Sequence, residues 1–266
     1  GFSVVIIQLF FFLIPAIVFV LSMETNNEKP PTANYLPLTI FQSSFCIILS
    51  LSIVYILYFL SRLWYADIVF ANGHHKVRSQ EIFPAYQSLK KALELNEEEP
   101  FYYDEFSYPA AEMAVAFNDE KETTLSASLT KEAIIATNFA VNHAPQNVNF
   151  WKSRTRVFYV LSQIDEKYYS DSLYSLEQSK LLSPTDPKIR YNLGLLYDKM
   201  GKKKEAISEL EETTKLKPDY RDAFYALAYL YEKDNKRDKA KDSLKYILTK
   251  IATDDAEARK KLEELK

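Results

Sequence analysis

The chain begins with two long stretches free of charge and then changes character. From Phe2 to Ser22 no side chain is ionisable, and about twenty such residues cross a hydrocarbon core of roughly 30 Å as a helix. Pro15 would kink that helix, which membrane segments tolerate because neighbouring groups re-satisfy the backbone. A second uncharged run, Leu36 to Leu60, ends in "YFLSRLWY". Tyr55, Tyr58, Trp64 and Tyr65 suit a membrane–water interface, and Arg62 can reach headgroups. The pattern predicts two membrane helices near 2–22 and 36–63, the second running on towards residue 72. The short polar link "METNNEKPPTANY" makes them antiparallel. A signal peptide would need a basic leader and a shorter apolar core. Neither is visible, and a first residue that is Gly rather than Met reads as a fragment.

Downstream the apolar positions recur with a helical period and at a longer interval. Leu193-Gly194, Tyr197, Ala206, Leu210 and Pro218 match the tetratricopeptide pattern L-G-x-x-Y, A-x-x-x-F, P, with Leu in place of Phe. Arg190 stands where that pattern prefers Trp. Thirty-four residues on come Phe224, Leu227-Ala228, Tyr231, Ala240 and Leu244, with Ala252 where proline would fall. Small residues let paired helices approach, and Leu193, Tyr197, Leu227 and Tyr231 are expected to be buried between them. Upstream the second-helix spacing persists at Ser172/Leu176/Pro184, Ala133/Thr137/Pro145 and Ala85/Leu89/Glu97, preceded in one unit by an aromatic helix around Trp151–Tyr159. The polar "FNDEKETTLSAS" absorbs the longest interval, and Asp254 or Asp255 is placed to cap a last helix. The expected fold is all-α: residues 1–63 form a two-helix transmembrane segment. Residues 64–266 form a tetratricopeptide-like α-solenoid of about four hairpins, best defined at 187–220 and 221–254.

Charge and composition narrow the function. Residues 1–63 carry four charged side chains (Glu24, Glu28, Lys29, Arg62), while the remainder mixes both signs within a net charge of −3. There is no basic stripe of the kind phosphate backbones require, so no nucleic-acid partner is expected. Four glycines and a single cysteine, Cys46, leave no phosphate loop and no internal disulfide. His74 and His75 diverge by about 100° on a helix, His143 has no neighbour in sequence, and no metal site is expected. Glu97, Glu98 and Glu99 read as a solvated turn, and Asp104 and Glu105 in "YYDEF" as part of a helix with an aromatic core face. No catalytic residues and no cofactor are expected in this chain.

The tetratricopeptide resemblance implies that first-helix side chains line a binding groove. In this register they are Tyr191 and Leu195, then Tyr225 and Tyr229. Such aromatics suit an apolar peptide or a sugar face, or they pack within the repeat. The Lys and Asn with which some family members clamp chain termini are missing at these places, so binding of chaperone tails is not implied.

The layout of two spans leading into "RLWYADIVFANG", "SLKKALELNEEEPFYYDEFS" and "LLSPTDPKIRYNLGLLYDKMG" resembles the C-terminal part of O-antigen ligase/polymerase-type membrane proteins with a tetratricopeptide tail. That resemblance implies a piece of a glycan transferase whose catalytic loop lies elsewhere. Its repeat tail would bind a protein or glycan acceptor on the outer face of a bacterial membrane. The alternative is a non-enzymatic, membrane-anchored scaffold that recruits proteins. Lys29 in the link, against Arg62, Lys76 and Arg78 after the second span, favours instead a cytoplasmic tail.

Overall fold

The computed structural model describes residues 40–265, all of whose regular elements are helical. The first expected span, 2–22, lies outside the described residues. α1, Ile40–Arg78, is a single helix of 39 residues, about 58 Å long at 1.5 Å per residue. It runs unbroken through the expected boundary at 63/64 and beyond the expected end near 72. Nothing between Ile40 and Asn72 is Gly or Pro, so no residue punctuates the ladder. Ile47–Arg78 is long and apolar enough to cross a membrane, with a mean hydropathy of 1.9 over its most apolar 18 residues.

The last third of α1 belongs to the repeats. It packs antiparallel on α2 (Ile82–Leu95), with Gly73 under Leu89 and Ala66, Ala85, Leu89 and Ala92 fully buried. Four more hairpins follow: α3 (Pro100–Asp119) with α4 (Thr123–His143), α5 (Val148–Leu161) with α6 (Tyr168–Leu182), α7 (Pro187–Lys199) with α8 (Lys203–Leu216), and α9 (Arg221–Lys233) with α10 (Arg237–Tyr246). A π-helical turn, Ile247–Ile251, leads to the closing helix α11 (Ala256–Glu264). The described residues thus hold five hairpins rather than about four, because the membrane-length helix supplies one arm of the first.

Local chemistry sets the hairpin ends. Glu99, Asn147 and Asp186 each accept a hydrogen bond from the amide two residues on, capping α3, α5 and α7. Asp255 caps α11 through the amide three residues on, that of Ala258. Four of the turns inside hairpins close identically. Gln80, Lys121, Gly201 and Asn235 have positive φ, and the next amide reaches back five residues, as in Lys202 N–H to the Tyr197 carbonyl at 2.8 Å. Only Gly201 meets this requirement without steric cost. The third hairpin has a longer turn, Ser162–Lys167.

Packing follows the repeat logic with two adjustments. Leu193, Leu227 and Tyr231 are buried as expected, and Tyr231 donates from its hydroxyl to Glu211 at 2.5 Å. Tyr197 is only partly buried: its hydroxyl donates to Glu177 at 2.9 Å, and the Lys202 ammonium lies over its ring. Arg190, where the pattern prefers Trp, instead bridges elements by donating to Glu209 at 2.9 Å and to the Pro184 carbonyl at 3.2 Å. Arg154 bridges elements likewise in the preceding hairpin. It donates to Asn138 on α4 and Ser175 on α6 and lies over the Phe158 ring.

Candidate partner-binding groove

The N-caps align the hairpins and define one face. Counting five residues from Glu99, Asn147 and Asp186 gives Asp104, Lys152 and Tyr191. Four further on stand Tyr108, Arg156 and Leu195. In the first and last hairpins the small residues Gly73 and Ala228, aligned with Gly194, give Phe70/His74 and Tyr225/Tyr229. These ten positions follow one another along the first helices of the five hairpins.

At the C-terminal end the four sequence-predicted residues divide into two pairs. Tyr191 and Tyr225 are half-buried against the core that joins α7 to α11. The Tyr191 ring lies 5.0 Å from that of Tyr220, and the Arg221 guanidinium sits 4.9 Å over Tyr225. Burial raises both phenols above their ordinary range, with Asp222 adding to the effect at Tyr191 and Glu257 at Tyr225. They remain neutral hydrogen-bonding rings. Leu195 and Tyr229, in contrast, are 40% and 45% exposed. The Lys233 ammonium is 4.3 Å from the Tyr229 ring and 3.9 Å from the Asp198 carboxylate on α7, joining the rims of the two helices. An apolar-aromatic strip with a basic edge results.

The N-terminal end is polar and was not anticipated as belonging to the groove. Asp104 accepts from the Ser153 hydroxyl at 3.1 Å, while its other oxygen is buried with no partner. Burial pushes its pKa up to about 7, with the Glu105 charge adding to the rise and the Ser153 bond opposing it. Arg156 lies over the Tyr108 ring, a cation–π contact. His74 stacks near Phe70 and places Nδ1 2.9 Å from Glu105 without hydrogen-bond alignment. His143 is on another helix altogether, with Nδ1 2.9 Å from the Phe139 carbonyl and its ring stacked on Phe139. The signal for the polar end was the helix-cap register, not the residue types. His, Asp and Arg at these places bear no likeness to Tyr and Leu.

Comparison with known proteins places this geometry. Residues 187–220 match the tetratricopeptide repeat. No curated protein sequence matches the chain. Among solved structures, MamA (residue 41 to its end) from Desulfovibrio magneticus RS-1 is 18% identical with a TM-score of 0.52, over 72% of this chain and 97% of that one. A tetratricopeptide repeat protein from Parabacteroides merdae is 14% identical with a TM-score of 0.53, over 75% of this chain and 72% of the other. YrrB, described as a tetratricopeptide protein with an unusual peptide-binding site, is 18% identical with a TM-score of 0.50, over 74% of this chain and 90% of its own. The described residues form a helical solenoid of tetratricopeptide type.

Proposed function

We propose that this chain is a membrane-anchored scaffold that holds an extended segment of a partner protein along the first helices of its hairpins. One observation carries the reading. Leu195 and Tyr229 stand exposed at equivalent places on neighbouring first helices, on backbones fixed by a packed core. Rigid aromatic and aliphatic anchors at repeat spacing lose little conformational entropy when a partner binds. The peptide-binding description of YrrB, at similar fold and low identity, supports the same use. The glycan-ligase reading has only the sequence layout behind it, so a glycan acceptor and a parent transferase stay second to a protein partner.

The anchor is α1, whose exposed large side chains from Ile47 to Phe59 are apolar or aromatic. Following the resemblance, the array is assigned to the outer side of the membrane. Single cysteines at Lys204 or Lys236, in a chain carrying Cys46→Ser, should react with an impermeant thiol reagent in intact cells. Labelling only after lysis would place the array in the cytoplasm.

The groove is tested by photocrosslinking. A benzophenone side chain at position 195 or 229 should capture a partner that the same group at Leu181, 71% exposed on the second helix α6, does not. Tyr229→Ala should abolish capture from 195 without changing the melting temperature. Equal capture from both faces would remove the groove reading.

A further inference from the structure

α1 serves both as the apolar helix and as the first arm of the repeat array, and three contacts lock the two roles together. The Arg62 guanidinium donates to the Glu94 carbonyl in the last turn of α2 at 2.9 Å. Gly73 sits under Leu89. Further on, Tyr102 in the first turn of α3 donates from its hydroxyl to Asp67 at 2.5 Å. Numbers rise along α1 as they fall along α2, so α2 ends level with Arg62–Tyr65. The Asn96–Glu99 connection and the first turn of α3 therefore lie beside the stretch where the first charged residues, Arg62 and Asp67, enter the apolar surface of α1, which runs on to an exposed Ile68.

That level has a physical meaning. A headgroup layer is about 5–8 Å thick on each side of the hydrocarbon, which is roughly four or five residues of helix. Ser61 to Tyr65, just past Phe59, fill that layer, and Trp64 and Tyr65 are both exposed there. Phe101, exposed at the start of α3, stands at nearly the same height through its neighbour's bond to Asp67. Aromatic rings at a common level, next to an apolar band, are the pattern of an interfacial belt.

We infer that the first hairpin is seated on the lipid headgroup layer through its Asn96–Phe101 edge. The repeat helices then stand along the direction of α1, with the 79–81 turn directed away from the bilayer. This rests on α1 crossing the membrane, as proposed above, and makes the lipid surface a second contact of the repeat domain, separate from the groove.

The test uses the whole chain carrying Cys46→Ser and one new cysteine, Glu98→Cys or Ser79→Cys, each coupled to a fluorophore. Both sites are exposed, and they differ in height by about 25 Å. In phosphatidylcholine vesicles containing a headgroup spin-labelled lipid, the dye at 98 should be quenched several-fold more than the dye at 79. Equal quenching in a chain that floats with the vesicles would overturn the seating while leaving the anchor intact. A chain that fails to float would overturn the anchor and the seating together. The crosslinking test of the groove is unaffected by either result.

Discussion

Gly73 and Leu89 meet in the first hairpin as Gly194 and Leu210 do in the fourth. In each pair a Cβ on the glycine would lie 2.6 Å from the leucine Cγ and 2.9 Å from its Cδ2. The separation in sequence is also the same in both pairs. A helix that begins in an apolar, membrane-like run thus ends with the close approach characteristic of a repeat.

Gly73→Ala should destabilise the first hairpin. A methyl group forced against Leu89 costs about 1–3 kcal/mol by overpacking, against about 1 kcal/mol gained in helix propensity. The net loss, on the order of 1 kcal/mol, should appear in denaturant unfolding and as faster amide exchange in α2. An unchanged or raised midpoint would mean that the helices do not pack this closely.

Leu227→Ala should be costly, because Leu227 is only 4% exposed in the core shared by α9 and α10. Removing a buried leucine leaves a cavity worth about 2–5 kcal/mol. A loss below ~0.5 kcal/mol in urea unfolding would contradict the repeat register.

Lys121→Gly should stabilise the protein. Lys121 holds φ at 67° in the turn between α3 and α4, a conformation that costs an ordinary residue roughly 1–2 kcal/mol. Glycine removes that cost and gives back some of it in chain entropy, leaving a gain of about 0.5–1 kcal/mol. The same change at Asn235 should gain less, since Asn tolerates this region better. Paired thermal melts would reveal the ordering.

Asp104 should make stability depend on pH. Its folded pKa, raised to about 7 by burial, lies above its ordinary value of 3.8. The folded state therefore holds the proton more tightly than the unfolded chain. Stability falls as pH rises from about 4 through 7, and the penalty is complete above that. Asp104→Asn keeps an acceptor for Ser153 and removes the charge. It should raise the unfolding midpoint at pH 8 and change little at pH 4. An equal effect at both pH values would place Asp104 in solvent.

The sequence revealed much of this fold, and the physical reason is punctuation. Pro187, Pro218 and the small residues Gly194 and Ala228 mark where helices start, stop and touch, so the fourth and fifth hairpins were legible residue by residue. In the first hairpin Ala85 and Leu89 marked the second helix, but the leading arm was hidden because no cap and no proline sets it off. That arm is the continuation of another helix, and within it Gly73 records the repeat. Tyr197 was expected inside but lies partly open, because its hydroxyl reaches out to Glu177 on α6. Leu195 and Tyr229, named from register alone as candidates for the groove, stand exposed. The polar end of the face could not be named in this way: the burial of Asp104 is completed by Ser153, 49 residues away, and no local pattern encodes that neighbour.

Because α1 has no interruption from Ile40 to Arg78, its residue count also sets a bearing. Each residue in an α-helix turns the chain by about 100° and advances it about 1.5 Å. Deleting a single residue between Phe59 and Arg62 would shorten the helix hardly at all, yet it would swing every hairpin a little over a quarter of a circle around the helix axis relative to the apolar run. Two proteins with the same hairpins and apolar runs one residue different in length would present those hairpins in different compass directions. The number of residues between the apolar run and the first repeat is in this sense an azimuth, written into the chain as plainly as the repeats themselves.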